Sequence, residues 1–88
     1  MDYTERFAKN LAHCRKEAGY TQEELSVRAE IHRTQVGLLE AGKRMPRLDT
    51  LVKVSGALGV PPARLLEGLS WEPGSTRPGR FKVSSPAA

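Results

Sequence analysis

A single cysteine, Cys14, leaves no partner for an internal disulfide and no set of thiolates for a zinc site. The two histidines, His13 and His32, stand 19 positions apart, and the chain carries no metal-ligand motif. No serine or cysteine lies in a nucleophile context, and no glycine-rich loop is built to cradle a phosphate. These shortages predict a protein that is not an enzyme and needs neither a cofactor nor a metal. Aromatic residues make up only 6%, so the core is expected to be aliphatic. No apolar run approaches the length of a membrane span and no secretion signal precedes the first helical pattern, which predicts a cytoplasmic protein with no membrane contact. Eighty-eight residues allow one domain with a small core.

Acidic residues are also in deficit, 10 against 14 basic, for a net charge of +4. Their distribution says more than the total. Between Arg28 and Arg47 five basic residues (Arg28, Arg33, Lys43, Arg44, Arg47) face two acidic ones (Glu30, Glu40). That same stretch overlaps two short helical patterns from Thr21 to Ala41. Leu25 and Ala29 share one face of the first, Ile31 follows at a corner, and Val36 and Leu39 share the inner face of the second. Helices of about eight residues do not stand alone in water. Held at a fixed angle they form a helix-turn-helix, whose second helix can enter the DNA major groove.

The spacing predicts five helices in all. Phe7, Leu11, Cys14 and Ala18 mark one face of a helix from Thr4 to Ala18, stopped by Gly19. Cys14 is thereby expected in the core. Thr21 with Glu24 is a capping box for the second helix. The third runs from about His32 to Ala41, with Gly42 after it. Pro46 keeps the basic Lys43–Arg47 loop from becoming helical. Leu48, Leu51, Val54 or Ser55, and Leu58 form the buried stripe of a fourth, Leu48 to Leu58. Pro61 and Pro62 suit the first turn of a fifth, Pro62 to Glu67, closed by Gly68.

Gln22, Glu24-Leu25, Ala29, Ile31, Val36, Leu39-Glu40, Gly42-Lys43 and Pro46, with Leu48-Asp49-Thr50-Leu51 and Ala57-Leu58-Gly59-Val60, resemble the phage lambda-repressor/Cro family of DNA-binding domains, the xenobiotic-response-element type. The resemblance covers roughly Phe7 to Leu69 and implies an all-α, compact five-helix DNA-binding domain. Two positions depart from it: Glu30 stands at the corner where the family usually has glycine, and Ser26 where it usually has alanine.

The exposed start of the third helix offers His32, Arg33, Thr34 and Gln35 to base edges, with Gly37 and Leu38 one turn further on. An arginine fork can bond guanine O6 and N7 together, Thr34 can hydrogen-bond a base or meet a thymine methyl, and an exposed Leu38 suits the same methyl. The resemblance places Arg33, Thr34 and Leu38 at positions that usually touch bases. Gly37 is unfavourable inside a helix, and either close approach to DNA or tight helix packing would explain it. Gln22, at a helix N-terminus, suits a phosphate, and the family uses the matching glutamine so. Lys43, Arg44 and Arg47 suit phosphates of the same groove. Arg15 and Glu40 are charged at positions turned toward other helices, and the resemblance implies that they form an inter-helix salt bridge.

The composition changes at residue 70, where prolines, glycines and serines become frequent. The expected division is a DNA-binding domain over 1–69 and a flexible or dimer-forming extension over 70–88. Trp71 is a candidate to cap the core. Arg80-Phe81-Lys82-Val83 alternates as a single strand would, and such a strand needs an edge, for which a partner subunit is one source. Leu65, Leu66, Leu69, Trp71, Phe81 and Val83 are the candidate dimer contacts. The reading is a sequence-specific transcriptional regulator, a repressor acting as a homodimer on double-stranded DNA with a two-fold operator. Alternatives within the class are a restriction–modification controller, an antitoxin-type autoregulator and a host regulator. The alternative outside it is a protein-interaction module that binds a partner through the extension.

Overall fold

Sixteen residues form the first helix, α1 (Tyr3–Ala18). Asp2 caps it by accepting the Glu5 N–H, and Gly19 ends it in the left-handed conformation. In the computed structural model, which describes residues 1–84, four further helices and a terminal hairpin follow α1. Phe7, Leu11 and Cys14 of α1 point into the core, as does Ala8. Ala18 does not: Lys16 to Gly19 are all exposed, so the last turn stands clear of the core.

The second helix, α2 (Gln22–Ala29), starts at the complete Thr21–Glu24 capping box. It ends at Glu30, the one non-glycine residue with positive φ among the described residues. At φ 56° and ψ 46° Glu30 takes the left-handed geometry that the family's usual glycine would supply. The corner is therefore made with an unsuitable residue rather than remade in a different shape. The third helix, α3 (Arg33–Glu40), is one residue shorter at each end than expected, because His32 and Ala41 serve as its caps. The His32 ring accepts the Thr34 N–H through Nδ1 at 3.0 Å.

The fourth helix, α4 (Leu48–Leu58), buries Leu51, Val54, Ser55 and Leu58. Leu48 departs from the expected stripe at 81% exposed. It is the first residue of α4, beside the exposed Arg47 and Asp49, and this turn overhangs the core. The fifth helix, α5 (Pro62–Leu65), is a single turn instead of reaching Glu67. The reason lies 55 residues away: the buried Asn10 amide donates to the carbonyls of Leu65 at 3.0 Å and Glu67 at 2.8 Å. Those bonds hold the backbone in a turn where helix was expected.

The extension forms a hairpin in which β1 (Leu69–Glu72) pairs antiparallel with β2 (Arg80–Val83). Leu69 faces Val83, and Trp71 faces Phe81. The expected lone strand thus finds its edge within this chain, on Leu69 and the first residues of the extension expected to be flexible or dimer-forming. Gly68 makes the approach possible, since a Cβ there would lie 2.9 Å from the Ser84 carbonyl oxygen, at a φ of +86°. Trp71 does not cap the core; it is 54% exposed and packs edge-on against Phe81, whose ring stacks on Tyr3 at 4.3 Å. The part of the expected extension beyond Ser84, including Pro86, lies outside the described residues.

The core gathers Phe7, Leu11, Cys14, Leu25, Ala29, Val36, Leu39, Leu51, Val54, Leu58 and Leu65. All five helices contribute, and only one of these side chains is aromatic. Among the described residues, no helix is long and apolar enough to cross a membrane.

Candidate nucleic-acid interface

Two eight-residue helices, α2 and α3, meet at the Glu30 corner, and Leu25, Ala29, Val36 and Leu39 bury their shared side. Arg33, Thr34 and Gln35 are left exposed together at the start of α3. The Arg33 guanidinium lies 3.7 Å from the Glu23 carboxylate, and both side chains are mostly in solvent. Such a pair is weak and easily exchanged for another partner. His32 stands at the same end, but its Nδ1 is occupied as a cap, so only Nε2 can face a ligand.

Further along α3, Leu38 is half-buried and is not among the side chains packed on the core. Gly37 has open space above it. A Cβ added there would meet only the Gln22 Oε1, at an ordinary 3.9 Å. Helix packing therefore does not require glycine at this position.

Gln22 is the first residue of α2, and its side chain is not free. Its Nε2 donates to Glu40 Oε1 at 3.2 Å. Glu40 is also gripped from α1: Arg15 Nε donates to Oε2 at 2.6 Å and Nη2 to Oε1 at 3.0 Å, while Nη1 donates to the Tyr20 carbonyl at 2.8 Å. Hydrogen bonding to Glu40 raises the Arg15 pKa above its ordinary value. With the Arg15 and Glu40 side chains only 13% and 7% exposed, removing one partner should cost about 3–5 kcal/mol, since the other would stay buried and uncompensated. The Gln22 bond to this pair had no signal in the sequence, because the two residues sit on different helices and neither is apolar.

The loop between α3 and α4 places Lys43, Arg44 and Arg47 in solvent, while Met45 packs against the core and anchors it. Arg47 Nε lies 3.5 Å from Asp49, again an exposed and weak pair. Of the basic residues in this stretch, Arg28 is engaged elsewhere, its guanidinium lying 4.4 Å over the Tyr20 ring.

The expected dimer residues separate into two groups. Leu65, the last residue of α5, is fully buried in this chain's own core and is removed as a contact. Leu69 packs partly on the same core. Leu66, Trp71 and Phe81 remain exposed, and Val83 is half-buried.

A short helix set at a fixed corner beneath a first helix, with an exposed polar start and a basic loop after it, defines a DNA-binding helix-turn-helix. A sequence profile described as helix-turn-helix matches residues 11–65, and the chain belongs to this Cro-type family of DNA-binding transcriptional regulators. It is 35% identical over 77 residues to the HTH-type transcriptional regulator y4dJ of Sinorhizobium fredii, covering 88% of this chain and 100% of that protein. It is 43% identical over 47 residues to the control protein C.BamHI of Bacillus amyloliquefaciens, covering 53% of this chain and 58% of that one. Among solved structures it resembles the restriction-modification controller protein C.AhdI from Aeromonas hydrophila. There the TM-score is 0.69 at 31% identity, over 70% of this chain and 94% of that one.

Proposed function

We propose that this chain is a repressor that binds a two-fold operator as a homodimer, in the cytoplasm. Arg33, Thr34, Gln35 and Leu38 read base edges, with His32 contributing through Nε2. Gln22, Lys43, Arg44 and Arg47 hold phosphates. The observation that carries the reading is the joint exposure of Arg33, Thr34 and Gln35 at the start of α3, with the basic loop on the same motif. One such surface makes few base contacts, so two half-sites supply the missing affinity and specificity.

In vitro selection of bound duplexes from a random pool tests this. The expected product is a pair of inverted half-sites about 34 Å apart, one helical turn. A pool that shows no enrichment overturns sequence-specific binding, and a single half-site overturns the two-fold operator. A second reading, control of a restriction–modification system, is favoured by the likeness to C.AhdI over nearly all of that protein. It changes the genes controlled and leaves the contacts the same.

The rival reading as a protein-interaction module differs in its response to salt. Phosphate contacts release counterions, so Arg44→Ala and Arg47→Ala should each weaken binding to all duplexes alike and lower the log–log salt slope by about one unit. Unchanged slopes in both variants would take the loop out of the interface.

A further inference from the structure

We propose that Glu40, although its carboxylate is buried in an ion pair, is a positioning residue for DNA binding that holds the Gln22 amide in one orientation over the recognition helix. The inference rests on the reading of Gln22 as a phosphate contact. Three hydrogen bonds converge on Glu40, two from Arg15 and one from Gln22. A carboxylate paired with arginine only accepts, so the NH₂ end of the Gln22 amide must face it. The Gln22 Oε1 is thereby turned toward Gly37, where its 3.9 Å distance to an added Cβ is the only approach below 4 Å.

The placement matters because of what surrounds it. In the first turn of α2, the Glu24 N–H is taken by Thr21 Oγ1 and the Leu25 N–H by the Thr21 carbonyl. The N–H groups of Gln22 and Glu23 have no internal partner among the described residues. They form the anion-binding end of the helix. An amide held beside them can offer its second Nε2 hydrogen to the same phosphate. A solvated glutamine would first have to be ordered, and immobilising one flexible side chain weakens binding by roughly three- to tenfold. Glu40 thus links the Arg15 anchor on α1, through α3, to the phosphate-facing start of α2.

The test is a double-variant cycle on binding of the selected operator duplex, measured well below each variant's melting temperature. Gln22→Ala and Glu40→Gln should each weaken binding by roughly three- to tenfold, and the double variant should be no weaker than either single one. The direction is informative, since removing a negative charge near phosphates would by itself strengthen binding. Combined with Arg33→Ala, the loss from Glu40→Gln should instead multiply. A merely structural Glu40 would multiply with both, and that result overturns the inference. If Gln22→Ala binds like wild type, Gln22 leaves the interface and the inference falls with it. A wild-type chain with no affinity for any duplex would instead overturn the proposed function.

Should Glu40→Gln fail to fold, the wild-type Gln22 side-chain amide protons decide by NMR. Exchange slowed relative to a solvated glutamine is expected, and free-glutamine behaviour overturns the inference.

Discussion

Glu30 and Arg33 lie three positions apart and illustrate opposite uses of an exposed side chain. Glu30 is held at φ 56°, where glycine is at ease and a side chain is strained by about 1 kcal/mol. Its carboxylate makes no hydrogen bond or ion pair among the described residues that would offset this. Glu30→Gly should therefore raise stability by up to about 0.5 kcal/mol, most of the relieved strain being offset by the greater freedom of glycine in the unfolded chain. Urea unfolding of the two forms measures it, and a lower midpoint for the glycine form would show that Glu30 is compensated. Arg33 spends its exposure on a replaceable contact with Glu23. Arg33→Ala should leave the melting temperature nearly unchanged. On the selected operator it should cost about 1–3 kcal/mol and relax preference at one base pair per half-site. A motif selected by Arg33→Ala that matches wild type at every position would refute the base-reading role.

At the scale of elements, what was legible in the sequence is what is decided locally. Gly19, the Thr21–Glu24 box and Gly59 each act within a few residues, and they place the limits of α1, α2 and α4 closely. Where a partner distant in sequence decides, the pattern fails. Asn10 shortens α5 from another helix, and the four residues of β1, Leu69-Ser70-Trp71-Glu72, are too few to stand as a strand until β2 pairs with them from beyond residues 73–79. The candidate interface divides the same way. Arg33, Thr34 and the basic loop follow from their places on the motif, whereas the Gln22–Glu40 bond needs three helices in position. The local devices also predict an acid response. The Thr21 N–H that Glu24 accepts, and next the Thr21 side chain, hold Glu24 below its ordinary value of 4.5. On the hairpin Lys82, then Arg80, do the same for Glu72. A carboxyl with a lowered folded pKa binds its proton more weakly in the native state. Its stabilisation is full above the ordinary value and is lost as pH falls through the lower folded one. Melting temperature should thus fall below about pH 4.5. Glu24→Gln should retain the capping geometry with a shallower acid decline. An identical decline in both forms would take Glu24 out of the acid response.

For the whole molecule, the proposed homodimer requires a contact that brings two recognition helices to one DNA face. A two-fold contact uses the same patch on both copies. With Leu65 sealed in the core, the large exposed apolar side chains of the C-terminal region, among the described residues, are Leu66, Trp71 and Phe81, and Tyr3 stacks beneath Phe81. Trp71 and Phe81 are each about half exposed, at 54% and 52%, and they sit opposite one another on the hairpin. Aromatic pairs of this kind commonly carry the energy of a small interface. Removing the hairpin entirely is a poor test, because Leu69 packs on the core and its loss would also weaken the fold. Replacing Trp71 and Phe81 together with alanine leaves Leu69 in place and should leave a folded domain. The intact chain should sediment as a dimer within the micromolar range or on its operator. The Trp71→Ala/Phe81→Ala form should stay monomeric free in solution and bind a single half-site nearly as well as wild type does. It should lose most of the advantage of the complete two-fold site, because that advantage comes from linking two modest contacts rather than from a new one. An intact chain that remains monomeric both free and on DNA sinks the dimer reading. A dimer that survives the double replacement moves the seam away from the hairpin.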